Sequence, residues 1–259
     1  ASREEVLEAL SQVIEETASP ERTSRKSDDS LRLGVAFPGP FDYSRGICYI
    51  EDQPKFDDLY GVSIRDELTA RLSGAVELRF LNDAVAALLG EGRYGKGEGY
   101  RRVLGLTLGT GLGSAFMVNG EIVTYPNEDD PEGWLFPVRY RGTIADDHFS
   151  TRGLLRRLRT AGADVESVAA GATEARQGDG TTRKAFTAFG EDLGAFLAPF
   201  VEGFKPEAIL LLGGISRALE LFETSMREQL PSVDIAVGSL GEKAPILGAG
   251  SLFLPFPAM

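Results

Sequence analysis

The sequence is poor in the residues that most metal and nucleophilic sites require. Its 259 residues include one cysteine, Cys48, and one histidine, His148. A single cysteine forms no disulfide within the chain, and zinc sites usually draw on several Cys and His side chains. We therefore expect no zinc site, a buried Cys48, and acid–base chemistry that depends on carboxylates.

Long apolar runs and excess positive charge are also lacking. No segment approaches the ~18 consecutive apolar residues of a membrane helix. The N-terminal ASREEVLEAL has neither the positively charged segment nor the apolar segment of a signal peptide. The 39 acidic residues exceed the 27 basic ones, for a net charge of −12, which disfavours contact with nucleic-acid phosphates and anionic lipid. We expect a cytoplasmic protein without nucleic-acid or membrane partners.

Strand-like and helix-like patterns alternate along the chain. The short apolar runs typical of buried strands are LRLGVAF, GICYI, VELRFL, RRVLGLTL and AILLL. Helical spacing occurs in the first sixteen residues, SIRDELTARL, NDAVAALLGEGRYG, a phenylalanine-rich stretch over 185–204, and RALELFETSMREQL. This alternation predicts an α/β fold with mainly parallel central strands, and Asn119-Gly120 predicts a β-hairpin within GSAFMVNGEIV. We expect a loop over the polar segment TASPERTSRKSDDS. We expect a flexible connector over the glycine-rich segment GEGRYGKGEG.

Two glycine clusters follow predicted strands. RRVLGLTL runs into GTGLGS, whose glycines allow backbone N–H groups to approach an anion closely. A dinucleotide-binding loop would open a helix, whereas here a hairpin follows, so a phosphate loop and a structural turn remain the two interpretations. The second cluster, Gly213-Gly214 after AILLL, fits close ligand approach and plain packing equally well.

Asn82-Asp83 joins the predicted strand VELRFL to a helical segment. Both residue types are preferred helix N-caps, which is the structural interpretation. The functional interpretation is a carboxylate that accepts the proton of a weakly acidic hydroxyl during phosphoryl transfer. The carboxyl end of a strand in an α/β protein is a common position for such a group.

Taken in order, these segments resemble the ROK family of bacterial sugar kinases and sugar-responsive regulators. The matching segments are GVAFPGPFD, FLNDAVAALLGE, LGLTLGTGLGSAF, LLLGGIS and GAGSLF, over residues 33–253. The resemblance implies a two-lobed actin/hexokinase-like α/β fold, related to ribonuclease H, in which helices flank central mixed sheets. It implies a smaller lobe of residues 1–100, completed by 247–259, and a larger lobe of residues 101–246.

The resemblance also implies roles for particular residues. Asp83 is expected to be the general base. The expected sugar-binding residues are Asn82, Gly39, Pro40, Glu132 and Asp146. The expected ATP-binding residues are Gly109, Thr110, Gly111 and Gly113 at the phosphates and Gly213 and Gly214 near the adenosine. Mg²⁺ is the implied metal cofactor, and a homodimer is expected by analogy only.

The sequence departs from the family pattern in two places. Members begin with a strand and an Asp-x-Gly-Gly-Thr phosphate loop that does not occur here, so we expect these N-terminal strands to be missing from the sequence. The family's cysteine cluster is replaced by PEGWLFPVRYRGTIADDHFSTRGLL, where Leu135 stands in place of a histidine. The expected function is ATP-dependent phosphorylation of a hexose or hexosamine, and the alternative is a sugar-binding regulator without phosphoryl transfer.

Overall fold

The computed structural model describes residues 2–22, 30–51, 53 and 56–255. The helices are α1 (Arg3–Arg22), α2 (Ile64–Arg71), α3 (Asp83–Tyr94), α4 (Ala145–Phe149), α5 (Thr151–Thr160), α6 (Val168–Arg176), α7 (Gly180–Phe204), α8 (Glu223–Gln229) and α9 (Lys243–Gly250). The strands are β1 (Leu31–Phe37), β2 (Phe41–Asp42), β3 (Ile47–Cys48), β4 (Val76–Asn82), β5 (Arg102–Leu108), β6 (Leu112–Val118), β7 (Glu121–Val123), β8 (Arg139–Tyr140), β9 (Thr143–Ile144), β10 (Ala208–Leu212) and β11 (Asp234–Val237).

The larger sheet has the strand order β11-β10-β5-β6-β7. β10 is parallel to both β5 and β11, whereas β5–β6 and β6–β7 are antiparallel hairpins. Every residue of β10 is buried, which explains its uninterrupted apolar run. Asn119 and Gly120 turn between β6 and β7 with φ values of 52° and 79°, so the predicted hairpin is confirmed.

The smaller sheet pairs β1 with β4 in parallel and sets Phe37 opposite Asn82. Its core is separate from that of the larger sheet and includes Leu7 of α1, Leu68 of α2 and Cys48 of β3. The expected burial of Cys48 is confirmed, because the residue is fully inaccessible. The carboxyl ends of β1 and β4 therefore meet at one edge, where α3 begins.

The backbone of helix α9 packs directly against the backbones of α3 and β1. A Cβ atom added to Gly248 would overlap the carbonyl oxygen of Ala86 in α3, and one added to Gly34 in β1 would overlap that of Ala249. Larger residues at these glycines would push the three elements apart. The last described helix thus completes the packing around the first strand.

The structure corrects two predictions near the N-terminus. The loop predicted from Thr17 is helical up to Arg22, because another turn of α1 buries Ala18, and residues 23–29 lie outside the described residues. The strand predicted over GICYI is reduced to β3. The N–H group of Tyr49 still donates to the carbonyl oxygen of Pro40, which stands opposite it in the β2–β3 register, but a proline has no N–H group to return the bond.

Two later predictions are also corrected. The single helix predicted for RALELFETSMREQL is a 3₁₀ segment over Ile215–Leu221 followed by α8, with a break at the buried Phe222. The first half of GEGRYGKGEG is the last turn of α3 and not a connector. Among the described residues, no helix combines the length and apolar character needed to cross a membrane.

Candidate functional site

Asn82 ends β4 and caps α3, and Asp83 is the first residue of that helix. The Asn82 Oδ1 atom accepts hydrogen bonds from the N–H groups of Ala84 at 2.9 Å and Val85 at 3.4 Å. The Asp83 Oδ1 atom accepts at 3.0 Å from Ala84. Asp83 is exposed and forms no ion pair with any residue that the structure describes. The capping interpretation is therefore confirmed for Asn82. The exposed carboxylate of Asp83 can still accept a hydrogen bond from a ligand.

Tyr43 fixes the side-chain amide of Asn82. The Asn82 Nδ2 group donates to Tyr43 Oη at 3.1 Å, and the Tyr43 hydroxyl donates to the carbonyl oxygen of Phe37 at 3.2 Å. Burial raises the pKa of Tyr43 to about 12, and the negative charges of Asp83 and Glu132 contribute to this rise. The phenol therefore keeps its proton at neutral pH. One N–H of the Asn82 amide remains for a ligand.

A cavity of about 230 Å³ lies beside Asn82 and Tyr43. Most of its wall is apolar, from β4, α3, β6 and β7. Its polar lining comes from Tyr43, Asn82, Ser114, Thr124, Glu132 and Trp134. Trp134 Nε1 donates to Glu132 Oε2 at 2.9 Å, so the indole orients the carboxylate at the rim. Apolar walls with a few fixed polar groups suit a small molecule that carries several hydroxyl groups.

The predicted sugar-side residues reach this cavity to different extents. Asn82 and Glu132 line it directly. Gly39 and Pro40, joined by a cis peptide bond, are exposed and adjacent to Tyr43, since a Cβ atom on Gly39 would lie 3.3 Å from Tyr43 Oη. Tyr43 was not predicted as a site residue; its only signal in the sequence is an aromatic residue just after PGPFD.

The glycine cluster between β5 and β6 is a tight three-residue turn. Leu108 and Leu112 are paired at the ends of the strands, and the Gly109 N–H group donates to the Gly111 carbonyl oxygen at 3.1 Å. Thr110 and Gly111 are exposed, and their N–H groups have no hydrogen-bond partner among the described residues. Free N–H groups on adjacent residues form the kind of concavity that binds anions. We call Gly109–Gly111 the phosphate hairpin.

Asp146 accepts a hydrogen bond from the residue that follows the phosphate hairpin, and it does not line the cavity. Its Oδ1 atom accepts from the N–H group of Leu112 at 2.7 Å, and its Oδ2 atom pairs with Arg152 at 3.0 Å. Thr151 donates from its N–H and from its hydroxyl to the Gly109 carbonyl oxygen, both at 2.7 Å. One carboxylate oxygen of Asp146 is thus bonded at the end of the hairpin and the other at α5, away from the cavity lining, and its expected role at the sugar stays a prediction.

Gly113, the second residue of β6, lies where that strand packs against the start of α3. A Cβ atom at this position would overlap the Thr107 hydroxyl and lie 2.6 Å from the Ala84 side chain. Only glycine lets β6 approach the helix that Asp83 begins. Gly113 is thus explained by packing, and this packing brings the start of β6 to the first turn of α3.

Gly213 and Gly214 lie on the other side of the phosphate hairpin. Gly213 has a φ of 85°, and a Cβ atom there would lie 2.6 Å from the carbonyl oxygen of Leu108, the last residue of β5. The backbone of Gly214 faces open space. Gly213 therefore lies against the end of the strand that leads into the phosphate hairpin, so the two glycine turns are neighbours at one end of the larger sheet.

This architecture is that of the actin/hexokinase-like α/β proteins. A structure of a ROK family glucokinase from Streptomyces griseus, solved with glucose and AMPPNP, matches with a TM-score of 0.74 and 22% identity over 97% of this chain and 88% of that chain. Residues 1–127 and 141–255 match the sequence profile of the ROK family. The chain belongs to the ROK family.

Two characterised relatives are similar in sequence. The glucokinase of Thermotoga maritima is 29% identical over 96% of this chain and 85% of its own length. The polyphosphate glucokinase of Mycobacterium leprae is 39% identical, but over only 38% of this chain and 28% of its own length. The relatives that bear these names are sugar kinases.

Proposed function

We propose that this protein transfers a phosphoryl group from ATP to a hydroxyl group of a hexose or hexosamine. The observation that carries the proposal is the close approach of Gly113 to Ala84, which brings the start of β6, just after the phosphate hairpin, to the first turn of α3, where Asp83 lies. An acceptor in the cavity and a donor phosphate on the hairpin would then approach each other at one carboxylate. The glucokinase relative of similar length supports this assignment.

In this proposal each group has one task. The free amide N–H of Asn82 and the carboxylate of Glu132 orient the sugar hydroxyl groups. Asp83 accepts the proton of the attacking hydroxyl as the new P–O bond forms, and the leaving phosphate carries away the electron pair of the broken bond. The N–H groups of Thr110 and Gly111 stabilise the charge on the transferred group.

The donor would extend from the phosphate hairpin toward Gly213 and Gly214, whose open backbone leaves room for a flat base. A ROK glucokinase bound to AMPPNP supports ATP as this donor. The described residues hold no group of three or more His, Cys, Asp or Glu suited to a metal ion. Mg²⁺ would enter with the donor phosphates, its usual mode of binding, and would neutralise part of their charge.

We further propose that the site lies between two lobes, residues 1–100 with 247–259 and residues 101–246. The separate apolar cores of the two sheets support this division. In such an arrangement, closure of the lobes would exclude water from the transferred phosphoryl group.

The variant Asp83→Asn tests the proposal. We expect the rate of glucose phosphorylation with ATP to fall by about 10²–10⁴-fold, since the amide cannot accept the proton, while glucose binding measured by calorimetry changes little. Asp58→Asn, which alters an exposed aspartate outside the site, is the matched control. Turnover at the unaltered rate in Asp83→Asn would contradict the role of Asp83. Glucose binding without any turnover in the unaltered protein would favour the sugar-binding regulator.

A further inference from the structure

A cleft between α5 and the first half of α7 gathers positive charge in an acidic chain. Its volume is about 420 Å³, and the side chains in its lining that can carry charge are His148, Arg156, Arg157 and Lys184. No carboxylate of a described residue lines it, although the net charge of the chain is −12. We call it the basic cleft.

Two of the cations in the basic cleft lack a carboxylate partner. Arg156 donates to the backbone carbonyl oxygen of Asp147, and neither Arg156 nor Lys184 forms an ion pair within the part of the chain that the structure describes. A guanidinium group has five N–H donors and an ammonium group has three. Because both side chains are exposed, most of these donors are open to a ligand.

Arg157 adds charge that is only partly neutralised. It pairs with the buried carboxylate of Asp192, but Arg141 pairs with the other oxygen of the same carboxylate at 2.7 Å. One negative charge therefore serves two guanidinium groups. The neighbouring ring of His148 responds to this excess: burial lowers its pKa, and the positive charges of Arg156 and Arg157 lower it further.

Small side chains form the rest of the wall. Gly153, Ala161, Ala185 and Ala188 leave room between the two helices, and Thr160 is the remaining lining residue. A volume of about 420 Å³ falls within the range of about 300–1,000 Å³ that is usual for small-molecule pockets. The basic cleft can therefore hold an organic group together with an anionic one.

We propose that the basic cleft binds the phosphate monoester of a small polar metabolite. A monoester carries a charge of about −1.5 to −2 at pH 7, which matches the two cations without carboxylate partners, Arg156 and Lys184. The planar guanidinium contacts two phosphate oxygens at once, and the ammonium group supplies a compact positive charge. The organic group lies against the alanines of the wall.

The basic cleft is separate from the candidate sugar cavity, because no residue lines both. Arg156 follows Thr151, which donates to the Gly109 carbonyl oxygen, by five residues of α5. At about 1.5 Å per residue, the cleft is thus roughly 8 Å along the helix from the phosphate hairpin. The proposal does not rest on the proposed function, and binding can be measured without turnover.

His148 makes the basic cleft directly observable, because it is the one histidine of the sequence. Its ring protons can be followed by proton NMR in protein without a histidine tag. The probe is glucose 6-phosphate, added in excess glucose so that the sugar cavity is filled. We expect saturable movement of the His148 signals and a rise of about 1 in the pKa of His148, since a nearby anion stabilises the imidazolium.

Arg156→Gln with Lys184→Gln tests the two cations. Calorimetry should show glucose 6-phosphate binding weakened by about 10–100-fold, because each change removes a charged hydrogen-bond donor. Both side chains are exposed, so urea unfolding should match that of the unaltered protein. The matched control is Arg101→Gln with Lys205→Gln, in which Lys205 lies roughly 30 Å along α7 from Lys184. This control should bind with unchanged affinity.

Four results would overturn the basic cleft. They are equal loss in the two double variants, calorimetric binding that leaves the His148 signals in place, inorganic sulfate bound as tightly as glucose 6-phosphate, and succinate bound as tightly. Failure to phosphorylate glucose with ATP, while the His148 response persists, would refute the proposed function alone. Absence of the response with intact ATP-driven turnover would refute the basic cleft alone.

Discussion

The buried carboxylate of Glu91 offers a quantitative test of how the end of α3 is held. Glu91 is fully inaccessible to solvent. Its Oε1 atom accepts from the N–H group of Leu240 at 2.7 Å, and its Oε2 atom accepts from the N–H group of Lys96 at 2.9 Å and from the Ser239 hydroxyl at 3.2 Å. One side chain thus ties the end of α3 both to the loop that follows it and to Ser239 and Leu240, which come far later in the chain.

The magnitude follows from the two short hydrogen bonds. A bond to a charged group contributes about 1.5–3 kcal/mol, and water that enters a vacated site restores part of the loss. We expect Glu91→Ala to lower the free energy of unfolding by about 3 kcal/mol, which for a chain of this size lowers Tm by about 6–12 °C. Glu91→Gln keeps one acceptor oxygen but turns an amide donor toward an N–H group, so it should cost about half as much.

The assay is urea-induced unfolding of Glu91→Ala, Glu91→Gln and the control Glu98→Gln. Glu98 is an exposed glutamate in the loop that follows α3, and its substitution should change the free energy of unfolding by less than about 0.5 kcal/mol. A Glu91→Ala variant as stable as this control would refute the account of the carboxylate as a structural anchor.

Three further substitutions probe the site and the larger core. Gly113→Ala should cost about 1–3 kcal/mol of unfolding free energy through overpacking, and Gly180→Ala, which adds a methyl group in open space, should not; urea unfolding distinguishes them. Because burial raises the pKa of Tyr43 to about 12, the unfolded state releases this proton first as pH rises above 10. The free energy of unfolding therefore falls by up to about 3 kcal/mol between pH 10 and 12, and Tyr43→Phe should remove this fall in alkaline unfolding curves. Asp192→Ala should cost about 3–5 kcal/mol, since it strands a half-buried arginine, whereas thermal unfolding of the exposed-site control Asp164→Ala should match the parent.

The strands and the hairpin could be predicted because their signals are local. β10 is buried along its whole length and reads as an uninterrupted apolar run, and Asn119-Gly120 supplies the two positive φ values that a two-residue turn needs. The order of Asn82-Asp83 and the two glycine clusters along the chain carried the resemblance to a known family. The family and the fold followed from the same order.

The contacts that complete the site could not be predicted, because they join residues far apart in sequence. Asp146 carries the same carboxylate whether it meets a sugar or a backbone N–H group, and only the position of α4 against β6 decides between them. Tyr43 becomes a site residue through its bond to Asn82, 39 positions away. The helix break at Phe222 has no signal in the sequence, because helical spacing of apolar residues continues across it. In the structure the buried ring of Phe222 lies between the 3₁₀ segment and α8.

The packing of α9 has a consequence for the order in which the chain can fold during synthesis. Gly34 of β1 and Gly90 of α3 both contact the backbone of α9, which lies more than 150 residues later in the chain. While the ribosome produces the intervening sheet, the surfaces of β1 and α3 that α9 covers stay exposed to water and to other nascent chains. These surfaces can be covered only after α9 leaves the exit tunnel, by which point every strand of the larger sheet has already been synthesised.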